Sequence, residues 1–160
     1  MTRLNRPFAM IAAGLAFAAA PAAMAATMQT SAGPVSVTAV ATDLQEPWGF
    51  AFLPDGSFLV TERSGRLTLH DGKGATTVVR GGPDVVAQGQ GGLLDVMIPR
   101  DFAESREVFL TYAGRDGSGA GTALAAGTLS SDGTRLENLR VLFQAPGVDG
   151  NGHFGSRVVE

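Results

Sequence analysis

The sequence contains no cysteine. No disulfide can therefore form, and every metal site built on thiolates is excluded. Aromatic residues are also scarce, at 7% of the chain, with a single tryptophan and a single tyrosine. Stability must therefore come from the burial of apolar side chains and from backbone pairing.

Basic residues are not in excess either, because the chain has 12 lysines and arginines and 15 aspartates and glutamates. No basic run or patch is visible, which argues against a nucleic-acid partner. After residue 25, no segment is apolar for long enough to cross a membrane. The sequence also lacks an HExxH motif, an EF-hand loop and a Ser-His-Asp arrangement, so it predicts none of those sites.

The N-terminus has the three-part pattern of a secretory signal peptide. Arg3 and Arg6 give a positive start, residues 8–20 form an uncharged apolar run, and residues 23–25 read Ala-Met-Ala. Small residues at these last positions suit signal peptidase, and the apolar run is too short to span a bilayer. We predict that residues 1–25 are a cleaved signal peptide and that the protein is periplasmic or secreted. An uncleaved anchor or a disordered tail is the alternative.

The first testable prediction concerns this cleavage. We expect the mature protein to begin at Ala26 or Thr27, because cleavage follows the small residues. N-terminal sequencing of the exported protein checks it, and an intact Met1 would contradict it.

The mature sequence is a succession of short apolar stretches separated by turn signals, which is typical of antiparallel strands. It contains no helix of ordinary length. A longer turn is expected at 102–107 and a polar loop at 115–121. Strands are predicted at 35–40, 50–53, 57–62, 66–70, 94–98, 109–112, 122–129 and 141–143, with turns at 54–56, 64–65, 71–72 and 131–133.

The strand pattern repeats along the chain. Residues 94–99 follow residues 49–54 at a spacing of 45, and in both segments four mostly apolar residues lead into proline and an aspartate-containing turn. The return strands 59–62 and 109–112 also match. A period in the forties with about four strands is typical of β-propeller blades. The pattern opens a third time at 155–160, where we predict the first strand of another blade.

The length of the sequence predicts only part of a propeller. A closed propeller needs at least four blades, and residues 26–160 supply about three at most. Ending within a strand would leave an unpaired edge. We therefore predict that residues 26–160 are the N-terminal two to three blades of a longer propeller domain, and we favour truncation over completion by other chains.

Two loops carry the candidate site residues, at 88–95 and 151–157, and each precedes or opens a blade's inner strand. Their glycines would let a flat ligand approach the backbone. Gln88 and Gln90 offer neutral donors and acceptors, and His153 offers a base near physiological pH. The first loop lacks the spacing of a phosphate loop. It could equally be a plain linker between blades.

Other polar and aromatic residues have simpler interpretations. His70 ends a strand beside an Asp-Gly turn and is predicted to be exposed and inert. Asp95 could point into a channel, but pairing with a turn amide is favoured. Trp48 is predicted to pack in the core or between blades. Taken alone, His153 is more often a structural residue than a base.

Four motifs in register carry a resemblance to a known family. They resemble the soluble, PQQ-dependent aldose sugar dehydrogenases, also called the glucose/sorbosone dehydrogenase family. The resemblance covers essentially all of residues 40–160, which is rather less than half of a typical member. The motifs are PWGFAFLPDG at 47–56, TERSGR at 61–66, GQGGLLD at 89–95 and GHFGSR at 152–157.

The resemblance implies an all-β, six-bladed β-propeller that holds pyrroloquinoline quinone (PQQ) flat over its channel. In the family, a histidine matching His153 takes the proton from the C1 hydroxyl of an aldose while a hydride passes to the quinone. The glutamine matching Gln90 contacts PQQ, whereas Gln88 has no match. The calcium ligands come from later blades, so no metal ligand is expected in this chain, and an external acceptor takes up the electrons.

Two other functions remain open from the sequence. The first is a non-catalytic propeller that binds glycans or proteins, in which His153 would be structural. The second is a calcium-dependent lactonase on a similar propeller, which would need carboxylates and asparagine converging on a metal.

Overall fold

A computed structural model describes residues 25–117, 119–150 and 152–160. Apart from Ala25, the predicted signal peptide lies outside these residues. The chain divides into two compact units, with the boundary after Thr38. Within the described ranges, no helix is long and apolar enough to cross a membrane.

The first unit is described as a β-hairpin. Strands β1 (Ala25–Thr30) and β2 (Gly33–Thr38) pair antiparallel through a two-residue turn. The Oγ1 of Thr30 donates to the carbonyl of Gly33 at 2.8 Å and closes the turn. Strand β2 overlaps the strand predicted at 35–40 but ends two residues earlier, while β1 was not predicted.

The second unit contains two four-stranded antiparallel sheets, and the prediction of an all-β chain is confirmed. Each sheet is a meander whose strands follow one another along the chain. Among the described residues, one helical turn, α1, lies between β7 and β8. The elements are β3 (Pro47–Phe52), β4 (Phe58–Glu62), β5 (Leu67–His70), β6 (Thr76–Val79), β7 (Leu93–Met97), α1 (Phe102–Ser105), β8 (Glu107–Asp116), β9 (Gly119–Leu129) and β10 (Leu136–Gln144).

The two sheets repeat the same local irregularity. The pairing of β3 with β4 slips between Pro47 and Phe50, and the pairing of β7 with β8 slips between Leu93 and Val96. A bulge of this kind leaves an extra residue on one strand and sharpens its twist. The bulged positions Pro47 and Phe50 of the first sheet correspond to Leu93 and Val96 of the second. Their spacing is therefore one residue longer than the 45-residue spacing of the proline motifs.

Aspartates shape three of the predicted turns. The side chains of Asp55, Asp71 and Asp132 each accept the amide N–H two residues on, at 3.0, 2.7 and 3.1 Å. Such Asx turns are the reason that Asp-Gly pairs mark chain reversals. Hydrogen bonds favour the ionised carboxyl and lower the pKa of each aspartate. The largest contribution comes from the Ser57 hydroxyl at Asp55, from the Lys73 N–H at Asp71 and from the Ser130 hydroxyl at Asp132, whose pKa falls to about 2.

Three segments differ from the sequence prediction. Strand β6 was missed. The predicted polar loop at 115–121 is instead the tip of a long hairpin, because Asp116 pairs with Gly119 around Gly117, whose φ is 59°. The segment 155–160, predicted as a strand, is not one in the structure.

The hydrophobic core lies between the two sheets of the second unit. Aliphatic side chains from both sheets are buried there, with small alanines on β9. Burial of this apolar area is the main favourable contribution to folding in a chain without disulfides. Its fully buried members include Leu59, Leu67, Leu93, Val108, Leu110, Ala123, Ala125 and Leu129.

The outer sides of the sheets carry exposed apolar side chains. On β3, Phe50 and Phe52 are 62% and 63% exposed, because they alternate with Ala51, which packs against the core. On β10, Val141 and Phe143 are exposed as well. Trp48 is 48% exposed, so it is not a core residue: it lies on an edge strand beside the exposed phenylalanines. Its packing between blades stays a prediction.

Candidate functional site

The loop that contains Gln88 and Gln90 is held by an arginine to which the sequence analysis assigned no role. The guanidinium of Arg63 donates to the carbonyls of Ala87 and Gly89, both at 3.3 Å. Its other nitrogens form a two-pronged ion pair with Glu46, at 2.9 and 3.0 Å. This geometry is specific to arginine, whose planar fork matches a carboxylate. Arg63 therefore fixes the backbone on which Gln90 sits.

Two glycines of this loop lie where a side chain would clash with the neighbouring backbone. A Cβ at Gly92 would lie 2.2 Å from the carbonyl oxygen of Arg63, and one at Gly91 would lie 2.6 Å from that of Val86. These two glycines let the chain pack closely against itself. In the second loop, a Cβ at Gly152 would meet no atom within 4 Å.

The structure brings the two main candidate site residues together. His153 donates its backbone N–H to Oε1 of Gln90 at 2.9 Å, although the residues are 63 positions apart. Both side chains are exposed. Because Oε1 of Gln90 accepts this bond, its Nε2 group is directed away from the His153 amide and can donate elsewhere. His153 has a φ of 45°, a left-handed backbone that is uncommon outside glycine.

The segment that follows His153 is anchored to the second sheet. Phe154 is buried against Leu94, Ala113 and Ala120, and Oγ1 of Thr122 donates to its carbonyl. This buried ring explains how a segment without strand pairing keeps a defined position. The aromatic residue beside the candidate base is therefore an anchor.

Asp95 also binds this segment. The carboxylate is buried, and its Oδ2 accepts the backbone N–H of Val158 at 3.0 Å. Its Oδ1 lies 3.6 Å from the guanidinium of Arg157. The sequence favoured pairing of Asp95 with the amide of a turn. Asp95 does bind a backbone amide, but this amide belongs to Val158 in the predicted third blade and not to a turn.

Gln88 is placed apart from the contact between Gln90 and His153. It lines a polar cavity of about 270 Å³ together with Arg115, Asp149 and Phe154. Its backbone carbonyl accepts the N–H of Gly91 at 2.8 Å, which closes a turn before β7. Gln88 therefore shapes the loop through its backbone while its side chain faces a neighbouring cavity.

His70 is buried, and the prediction that it is exposed was wrong. It is 2% exposed, and its ring stacks on Phe58 with centroids 5.0 Å apart. Its two ring nitrogens lie 2.9 Å from Oγ1 of Thr68 and 3.1 Å from Oγ1 of Thr76. The unpredicted strand β6 supplies Thr76 and so completes this environment. Burial lowers the pKa of His70 from its usual value.

This burial predicts a pH-dependent stability. Because the pKa of His70 is lower in the folded protein than in the unfolded chain, the unfolded chain binds the proton more readily. The contribution of neutral His70 to the free energy of unfolding is therefore complete above about pH 6.5. It falls as the pH drops towards the pKa of His70 in the folded protein. We expect His70→Gln to lower the melting temperature at pH 8 but to flatten its decline below about pH 6.5. Thermal melts across this range check it, and equal slopes would remove His70 as the titrating group.

Within the described part of the chain, no three or more His, Cys, Asp or Glu side chains are grouped so that they could hold a metal ion. The polar groups gathered at residues 88–92 and 152–158 are side-chain amides, backbone groups, one imidazole, the hydroxyl of Ser156 and the guanidinium of Arg157. This arrangement suits the binding of a neutral or anionic organic molecule and proton transfer by His153.

Comparisons with known proteins show which proteins this chain is similar to. A family model described as glucose/sorbosone dehydrogenase matches residues 44–160. The aldose sugar dehydrogenase YliI of Escherichia coli K12 is 45% identical over 130 residues, which cover 78% of this chain and 35% of YliI.

Solved structures give the same result. The apo form of the soluble aldose sugar dehydrogenase of Escherichia coli is similar at 44% identity and a TM-score of 0.68, over 73% of this chain and 35% of that one. The PQQ-bound form of an aldose sugar dehydrogenase from Streptomyces coelicolor is similar at 27% identity and a TM-score of 0.65, over 86% and 39%. The chain thus spans little more than a third of the relatives that it matches.

Proposed function

The chain belongs to the glucose/sorbosone dehydrogenase family, and from this premise we propose that the complete protein is a PQQ-dependent aldose dehydrogenase. It would oxidise the C1 hydroxyl of an aldose to the lactone. The observation that carries the proposal is the contact between Gln90 and His153, which joins the proposed cofactor residue to the proposed base.

The residues at this position fit a quinone cofactor in two respects. Gln90 has a side-chain amide whose Nε2 can donate to a carbonyl or carboxylate oxygen, since its Oε1 is already occupied by His153. Gly152, next to His153, leaves open space where a larger residue would place a side chain. Gln90 would therefore hold PQQ, and Gln88, which faces another cavity, would not. When bound, PQQ supplies the acceptor for the hydride that leaves C1 of the sugar.

His153 provides the proton-transfer step in this proposal. Its neutral imidazole would take the proton of the C1 hydroxyl as the C1 hydrogen departs with its electron pair, so that the C1 carbonyl of the lactone forms. A positioned imidazole is the commonest general base for such a step. Its exposure in the described residues leaves the ring accessible to a sugar.

The remaining parts of the proposal concern the complete protein. We propose that its blades close into a six-bladed ring and that its calcium ligands belong to blades other than the two described. An external electron acceptor would reoxidise the cofactor. The signal peptide proposed for residues 1–25 would place this reaction in the periplasm or outside the cell.

The test is an assay of the complete protein with purified PQQ, calcium, an aldose and an artificial electron-accepting dye. Dye reduction should require both the quinone and a free C1 hydroxyl, so the methyl glycoside of the same sugar is the matched control. A protein that binds the sugar without reducing the dye would instead be a binding module. Opening of an added lactone ring without quinone would favour the lactonase.

A further inference from the structure

Thr111 forms a bridge between three segments of the second unit. Its Oγ1 accepts the backbone N–H of Asp95 at 3.0 Å and donates to the carbonyl of Ser156 at 2.7 Å. One hydroxyl on β8 therefore joins β7 to the segment that contains His153. Thr111 is buried, where an unpaired backbone group would be costly.

The same bridge occurs at the junction between the two sheets. Oγ1 of Thr61, on β4, accepts the N–H of Gly49 at 2.9 Å and donates to the carbonyl of Leu94. Thr61 and Thr111 thus hold equivalent positions, each linking its own sheet to the first segment of the next. The repetition indicates a device that sets the position of one blade relative to its neighbour.

At the second junction, the bridge fixes the chain on which His153 lies. Residues 152–160 form no strand, so hydrogen bonds from side chains must replace the backbone hydrogen bonds of paired strands. Thr111 binds Ser156, two residues after Phe154, and the carboxylate of Asp95 binds the N–H of Val158. These contacts lie on the C-terminal side of His153, while Gln90 holds its N–H from the other side.

His153 needs such support for two reasons. Its left-handed backbone is unfavourable for a residue other than glycine and persists only when the surroundings impose it. In addition, the preceding residue is Gly152, which has no side chain that could orient the imidazole. Contacts further along the segment must therefore determine where His153 lies.

We propose that Thr111 is a positioning residue for His153: its hydroxyl bridge between Asp95 and Ser156 places the candidate base over Gln90. This inference rests on the proposed function and extends it to a residue that touches neither the sugar nor the quinone. Thr61, by the same geometry, positions the chain at Leu94.

The test compares three variants of the complete protein. Thr111→Val keeps the shape of the side chain and removes the hydroxyl, whereas Thr111→Ser keeps the hydroxyl. Thr68→Val is the matched control, because Thr68 is also a buried threonine, on β5, and contacts Val60 and His70 rather than the loop segments. Each variant is assayed below its melting temperature for kcat, KM, PQQ affinity and amide hydrogen exchange.

We expect Thr111→Val to lower kcat by about 10- to 100-fold, as small misplacements of a catalytic group do. PQQ affinity should stay close to that of the wild type, and Thr111→Ser should restore turnover. Amides at 153–158 should exchange faster in Thr111→Val, in the apo protein as well, but not in Thr68→Val.

Three outcomes would overturn the inference. Unchanged exchange at 153–158 in Thr111→Val would show that the bridge does not hold the segment. Unchanged kcat in an active enzyme would show that the bridge does not position the base, and an equal loss in Thr68→Val would show a general effect of destabilisation. A wild-type protein without quinone-dependent activity would refute the proposed function, while the exchange data would still decide whether Thr111 holds the segment.

Discussion

Replacement of His153 by alanine should lower the turnover of the complete protein by about 10²- to 10⁴-fold, the usual contribution of a general base. The quinone should still bind, because His153 meets Gln90 through its backbone N–H, which alanine retains. A loss confined to kcat would identify an interaction made in the transition state. The measurements are dye reduction under saturating sugar and a separate titration with PQQ.

The chain contains a matched control for this experiment, since His70 is its only other histidine. His70 is buried within the first sheet, so His70→Ala should lower the melting temperature without a comparable loss of kcat. Near-normal sugar oxidation by His153→Ala would remove His153 from the mechanism.

Gln90 gives the complementary result. Gln90→Glu keeps an oxygen that can accept the N–H of His153 but loses the Nε2 donor. PQQ affinity should therefore weaken while the backbone position of His153 is retained. Unchanged quinone affinity in this variant would separate Gln90 from cofactor binding.

The second large effect concerns residues 26–160 produced alone, which should be inactive even with calcium and PQQ supplied. Blades of this kind bury their sides against both neighbours. The structure leaves Phe50 and Phe52 exposed on β3, an edge strand of the first sheet, and Val141 and Phe143 exposed on β10, an edge strand of the second sheet. No disulfide can compensate, because the chain has no cysteine. We expect a poorly soluble or partly folded product with unpaired strand edges.

Size-exclusion chromatography, thermal melting and the dye assay test this expectation. The mature complete protein is the control, prepared and assayed in the same way. A soluble monomer of residues 26–160 that melts cooperatively and reduces the dye with glucose and PQQ would refute the partial-propeller interpretation.

The sequence predicted most of the fold because its strands and turns have strong local signals. The Asp-Gly turns at Asp55, Asp71 and Asp132 each form as expected, since the aspartate itself closes the turn. Strand β6 was missed because Thr76–Val79 is short and carries no alternation. The segment 155–160 has strand-like residues, but a strand also needs a partner, which periodicity cannot supply.

The site was predicted in part, for a similar reason. His153 and Gln90 were found through their motifs, yet their contact depends on packing between segments 63 residues apart. The role of Arg63 was missed because its partners, Glu46 and the carbonyls of Ala87 and Gly89, are distant in sequence. His70 was misjudged because its burial depends on a strand that was not predicted.

The meander order of the two sheets has a consequence for biosynthesis. Every strand of a sheet pairs only with its neighbours in the chain, so the first sheet is complete in sequence at Val79, before Leu93 begins the second. A chain that emerges from its N-terminus can form such local contacts early, since short loops close at little entropic cost. In the closed ring proposed above, the surface that bears Phe50 and Phe52 would then be synthesised first. It would be buried only when the ring closes. For most of synthesis, this surface would be the one that chaperones have to shield.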